Sequence, residues 1–156
     1  ILDAITSLNR KIIAIFPNSD PGYHDIIKVL SQFQKNNPLF KLYPSLPRVD
    51  YLGMLKHSGV LVGNSSSGFI ESSYLGIPVV NIGTRQNNRE GGKNIINISG
   101  NSVSEIQKAV IKSLKKNNSK KMKDSIYGNG TSSKKIVKKL ETIKINDELL
   151  KKKISY

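Results

Sequence analysis

Apolar residues in this chain gather into short unbroken runs set between longer segments of helical periodicity, and that alternation constrains the fold more than any other feature. Ile12-Ile13-Ala14-Ile15-Phe16, stopped by Pro17, reads as a strand buried on both faces. Gly59-Val60-Leu61-Val62-Gly63 and the run from Ile77 to Ile82 read the same way, and residues 39–43 and 95–98 supply two further strands. Between them, Ile26, Ile27, Leu30 and Phe33 share one helical stripe, which Asn36, Asn37 and Pro38 end. Residues 50–58 and 69–75 predict two short helices. Ser102 can cap a longer one that places Val103, Ile106, Val110 and Leu114 on one face. Ile1, Ile5 and Leu8 open the chain at helical spacing, and Ile136, Val137, Leu140 and Ile143 mark a last helix. Short strands alternating with helices predict an α/β fold: Rossmann-like, with a mostly parallel sheet and helices on both faces. Ligands of such sheets bind at the carboxyl ends of the strands.

The length of 156 residues suits one domain, over residues 1–143, with a lysine-rich tail over 144–156. The formal net charge is +14, and residues 108–156 hold +11 of it. Lysines outnumber arginines 21 to 4, and the basic end carries only Tyr127 and Tyr156 as aromatic residues. That composition fits a solvated lysine face and disfavours specific nucleic-acid contacts, which recruit arginine forks and interleaved aromatics. The absence of cysteine excludes disulfides, thiolate nucleophiles and cysteine zinc sites, and two histidines, His24 and His57, leave little for a metal. No apolar run approaches the roughly 18 residues of a membrane span, and no leader pattern opens the chain, so a cytoplasmic location is expected. The chain enters at Ile1 inside what reads as the end of a helix, as a fragment lacking its upstream part would.

The stretch richest in chemistry is Gly63-Asn64-Ser65-Ser66-Ser67-Gly68, between a buried strand and a helix. A helix start presents unpaired N–H groups and the positive end of a dipole, and three hydroxyls between two glycines could cradle a phosphate. The same residues also suit a plain capped turn, with Ser66 or Ser67 as the cap. The run lacks the Gly-Lys-Ser/Thr of a P-loop and the Gly-x-Gly-x-x-Gly of a dinucleotide site, which disfavours ATP and NAD. Glu71, one turn into the helix, could accept both hydroxyls of a ribose or could simply complement the dipole. After the next strand, Gly83-Thr84-Arg85-Gln86-Asn87-Asn88-Arg89-Glu90-Gly91-Gly92 offers arginines and amides suited to a phosphate or sugar, or to solvent. No His, Cys or carboxylate pair makes an acid/base couple, so no catalytic residue is assigned.

Gly63 through Glu71, then Gly76-Ile77-Pro78-Val79-Val80-Asn81-Ile82-Gly83-Thr84-Arg85-Gln86 and Arg89-Glu90, resemble the signature of UDP-N-acetylglucosamine 2-epimerases of the hydrolysing kind. Ile15-Phe16-Pro17-Asn18-Ser19-Asp20 and Ser125-Ile126-Tyr127-Gly128-Asn129-Gly130 are similar to further landmarks of that family in the same order. The resemblance implies a two-domain GT-B architecture of which this chain is most of the C-terminal, nucleotide-binding half, with the UDP-sugar lying between it and a missing N-terminal domain. It implies that Ser65 and Ser66 hold the diphosphate, Glu71 the ribose hydroxyls and Arg85 the UDP moiety. Asn18 would line the cleft, and Leu46 would meet uracil through its backbone. The family removes the C2 proton, eliminates UDP from C1 to give a 2-acetamidoglucal, and adds water with inversion at C2, without nicotinamide or metal. Its catalytic carboxylates and cleft histidine belong upstream of Ile1, and its full-length members are expected to be homo-oligomers. One departure is Asn88, where the family usually has Gly. Two other readings remain: the donor-binding domain of a GT-B glycosyltransferase, against which the Gly-Thr-Arg-Gln loop argues, and a lysine-rich nucleic-acid-binding module.

Overall fold

The computed structural model describes residues 1–115 and 126–151. The described residues divide into two compact units, the first ending at Ile126 and the second beginning at Tyr127. Ser125 of the late motif and residues 152–156 of the lysine-rich end lie outside the described residues.

In the first unit the elements run α1 (Leu2–Thr6), β1 (Ile12–Ile15), α2 (Tyr23–Lys35), β2 (Phe40–Tyr43), α3 (Arg48–His57) and β3 (Leu61–Gly63). A 3-10 turn (Ser66–Gly68), α4 (Glu71–Leu75), β4 (Val79–Ile82), β5 (Ile95–Ile98) and α5 (Val103–Lys115) follow. Every strand pair is parallel, as the alternating pattern predicts. The strands form two ladders: β1 with β2, starting at Ile12 opposite Phe40, and β3-β4-β5, in which Leu61, Val79 and Ile95 lie in one row.

Successive strand residues face opposite sides, and β4 shows what covers each. Val80 belongs to the core beneath α1 and α5, with Ala4, Ile106, Ala109 and Val110, and Val60, Val62, Ile82, Ile96 and Ile98 pack around it. Val79 faces the other way, onto the 3-10 turn, where a Cβ on Gly68 would lie 3.0 Å from its Cγ1. Helical backbone therefore covers both faces of the three-stranded ladder. Ser102 caps α5, its hydroxyl accepting the Glu105 N–H at 3.1 Å.

Three burial expectations need correction. β3 is not buried on both faces, since Leu61, Val62 and Gly63 are all half-buried. β1 is not buried on both faces: Ile13 and Ile15 are 52% and 36% exposed, while Ile12 and Ala14 are half-buried. Its hydrogen-bonded partner among the described residues is β2 alone, so this strand sits at a ladder edge. On α5 the buried stripe is Ile106, Ala109, Val110 and Ser113, and the terminal members of the predicted face, Val103 and Leu114, are exposed.

The second unit holds α6 (Ser132–Thr142) and α7 (Asp147–Leu150). Ile136, Val137 and Leu140 share the expected helix, and all three are exposed. No helix among the described residues is long and apolar enough to cross a membrane.

Candidate functional site

Gly63 closes β3 at φ +144°, a conformation that strains any residue with a side chain, and the chain turns there into the serine run. The cap of the 3-10 turn is Ser65, not Ser66 or Ser67: its Oγ accepts the Ser67 N–H at 3.3 Å. Ser65 is extended at φ −73° and ψ +144°, as a capping residue must be, whereas Ser66 is already inside the helical turn. The Ser66 carbonyl accepts from Phe69 and Ile70 N–H at 2.9 and 3.0 Å, which carries the 3-10 turn into α4 without a break. Ser66 is half-buried, and its hydroxyl has no hydrogen-bond partner among the described residues. Ser67 is buried and accepts a 2.5 Å hydrogen bond from the Tyr51 hydroxyl of α3. Beneath the turn, the Ser72 hydroxyl donates to the Gly68 carbonyl.

The loop after β4 closes over this turn from the side. Gln86 is 5% exposed and donates through Nε2 to the Asn64 carbonyl at 2.8 Å. Its buried Oε1 has no partner among the described residues. Arg85 reaches the same carbonyl at 3.5 Å through Nη1 and pairs through Nη2 with Asp20 Oδ2 at 3.3 Å. Asp20 lies after β1, so Arg85 ties together the carboxyl ends of strands from both ladders. Gly91 lies so close to Phe69 and Ile95 that a Cβ there would come within 3.2 and 3.0 Å of their side chains. Asn88 takes φ +67°, a left-handed conformation that asparagine tolerates better than most residues with a side chain.

The candidate residues from the sequence thus stand at the carboxyl ends of four strands. Ser65 and Ser66 follow β3 and Arg85 follows β4, and the Asn64 backbone joins them. Glu71 begins α4, with its Oε1 3.8 Å from Arg48 Nη1; the two side chains are 22% and 77% exposed. Asn18 is exposed after β1, two residues before Asp20, and Leu46 is half-buried after β2, two residues before Arg48. These last two join the group through their neighbours. Sequence reading misses Arg48 and Tyr51, and it places Asp20 in a motif without its pairing to Arg85. Arg48 and Tyr51 lie three apart in the first turn of α3, a spacing that becomes visible only when the helix is started at Arg48 and not at Asp50.

The profile of the family described as UDP-N-acetylglucosamine 2-epimerase matches residues 1–141. The chain belongs to the UDP-N-acetylglucosamine 2-epimerase family. Among curated members, the chain is 33% identical over 158 residues to the hydrolysing UDP-N,N'-diacetylbacillosamine 2-epimerase of Legionella pneumophila, covering 100% of this chain and 40% of that one. It is 40% identical over 93 residues to the UDP-N-acetylglucosamine 2-epimerase of Neisseria meningitidis serogroup B, covering 60% and 24% of the two chains. With the hydrolysing GDP/UDP-N,N'-diacetylbacillosamine 2-epimerase of Campylobacter jejuni it shares 34% over 114 residues, 72% of this chain and 30% of the other. This epimerase-family chain therefore spans at most 40% of the length of these relatives.

Proposed function

We propose that this chain is the UDP-binding, C-terminal GT-B half of a hydrolysing UDP-N-acetylglucosamine 2-epimerase, which converts UDP-N-acetylglucosamine and water to N-acetylmannosamine and UDP. In this reading Ser65 and Ser66 hold the diphosphate, Glu71 accepts the ribose hydroxyls and Arg85 offsets the charge of the UDP moiety. Asn18 lines the cleft, and the backbone at Leu46 meets uracil. The observation that carries it is the meeting of strand-end loops at the serine turn: Arg85 and Gln86 both reach Asn64, and Arg85 also reaches the loop after β1. Open hydroxyl groups and a guanidinium at a parallel-sheet edge suit a leaving diphosphate, whose charge grows as its bond to C1 breaks. That the Legionella and Campylobacter relatives are named as hydrolysing 2-epimerases supports the hydrolysing reaction.

In the reaction the C2 proton passes to a base and the C1–O bond breaks with departure of UDP, giving 2-acetamidoglucal. Water then adds at C1 and a proton at C2 from the opposite face. In this reading the acid/base groups are supplied from outside these 156 residues, which by themselves bind UDP weakly and do not turn over. The same reading takes residues 1–143 as the nucleotide-sugar domain and 144–156 as a lysine-rich tail, in a cytoplasmic homo-oligomer. The test is incubation of the full-length gene product with UDP-N-acetylglucosamine in deuterium oxide. UDP and N-acetylmannosamine with deuterium at C2 are expected. Transfer of the sugar to an acceptor with the C2 hydrogen retained would refute the epimerase reaction in favour of a glycosyltransferase.

A further inference from the structure

We propose that the first turn of α3 positions the nucleotide site, Tyr51 acting through the serine turn and Arg48 through Glu71; this rests on the UDP-binding reading above. Pro47 precedes the helix at φ −52°, and its carbonyl accepts the Tyr51 N–H at 2.9 Å, which closes that turn. Residues three apart leave a helix on the same side, and here both point at the segment from Ser65 to Glu71.

Tyr51 donates to Ser67 Oγ at 2.5 Å, and the Ser67 N–H in turn donates to Ser65 Oγ at 3.3 Å. The backbone N–H occupies the Ser65 oxygen as an acceptor and leaves the Ser65 proton to be donated outward, as an anionic oxygen requires, while the Tyr51 bond anchors by its side chain the residue that carries that N–H. Ser67 is buried, so the first of these bonds is shielded from competing water. Arg48 stands 3.8 Å from Glu71 Oε1. So exposed a pair adds little to stability, and its consequence lies in where the carboxylate stands: one oxygen faces the guanidinium, and Oε2 is left for ribose hydroxyls. Neither α3 residue has to touch the nucleotide. Both are positioning residues, and Leu46 two positions before Arg48 puts the base, the sugar and the diphosphate along one short stretch of α3 and its approach.

Calorimetric titration of the full-length gene product with UDP, 2′-deoxy-UDP and uridine tests the proposal. Tyr51→Phe should weaken UDP about five-fold and leave uridine unchanged, because it removes one hydrogen bond behind the phosphate turn. Arg48→Ala should cut the preference for UDP over 2′-deoxy-UDP about three-fold, and Arg48→Lys should restore part of it. Equal weakening of all three ligands would mark a merely structural role and overturn the proposal. If Tyr51→Phe does not fold, Ser67→Ala removes the same hydrogen bond from its other end and is read in the same way. Unchanged affinities in these variants overturn the positioning role and leave the UDP reading standing. Failure of the unaltered protein to bind UDP overturns both.

Discussion

Asn88 shows how a residue other than glycine can hold a left-handed turn in a loop. It holds φ +67° in an exposed loop, so its side chain costs backbone energy without a clash. Asn88→Gly should stabilise the chain by up to about 1 kcal/mol, and Asn88→Val should destabilise it by about 1–2 kcal/mol, measured by urea unfolding. The residue is legible in the sequence as a departure from a family pattern; the torsion it takes is not. Glu105 is a second such case. The Ser99 hydroxyl foremost, and the N–H groups of Ser99 and Gly100, donate to its carboxylate and hold its carboxyl below the usual glutamate range. A depressed folded value means that the contribution is complete above the unfolded pKa, about 4.3, and is lost as pH falls through the folded value. Thermal scans should therefore show Glu105→Gln less stable than the parent at pH 7, with the difference vanishing in acid. Sequence periodicity picks out Ser102 at this helix start, but the reach of Glu105 back to Ser99 has no signature in spacing.

At the scale of elements, α5 was the most legible because a 3.6-residue period over thirteen residues repeats its apolar face several times. Ile106 is 2% exposed under the three-stranded ladder, whereas Ile136 on α6 is 59% exposed. Ile106→Ala should cost about 2–4 kcal/mol and Ile136→Ala under about 0.5 kcal/mol, in denaturant titrations followed by circular dichroism. Two apolar stripes of similar pattern thus differ several-fold in what they stabilise, and the pattern alone does not reveal which is covered. β1 makes the same point for strands: an unbroken apolar run fits burial on either one face or two, and Ile13 and Ile15 show the first. The serine turn was legible as a turn between a strand and a helix and illegible as a shape. Three identical small polar residues carry no period, so the capping role falls to Ser65 only once the torsions are known.

For the whole molecule, the order of strands and helices and the family resemblance were both readable from the residues, and the profile match over residues 1–141 bears out the family. The split into two ladders was not readable, because strand pairing depends on contacts between runs that are far apart in sequence. The division at Tyr127 is also silent in composition, since lysines run across it from Lys108 onward. A ligand that binds only the folded form stabilises the unit that holds its site. UDP at a hundred times its dissociation constant should add about 2.7 kcal/mol, seen as a raised melting temperature, and a Ser65→Ala/Ser66→Ala double variant should show no rise. Arg85 adds one more consequence at this scale. Its guanidinium is already engaged with Asp20, so in the proposed UDP-binding reading an arriving diphosphate would swap one anion for another instead of filling an idle cation. Added potassium chloride loosens the resident contact while it screens the incoming one, and the two effects offset. UDP affinity should therefore vary only gently with ionic strength, unlike capture on a bare lysine-studded surface.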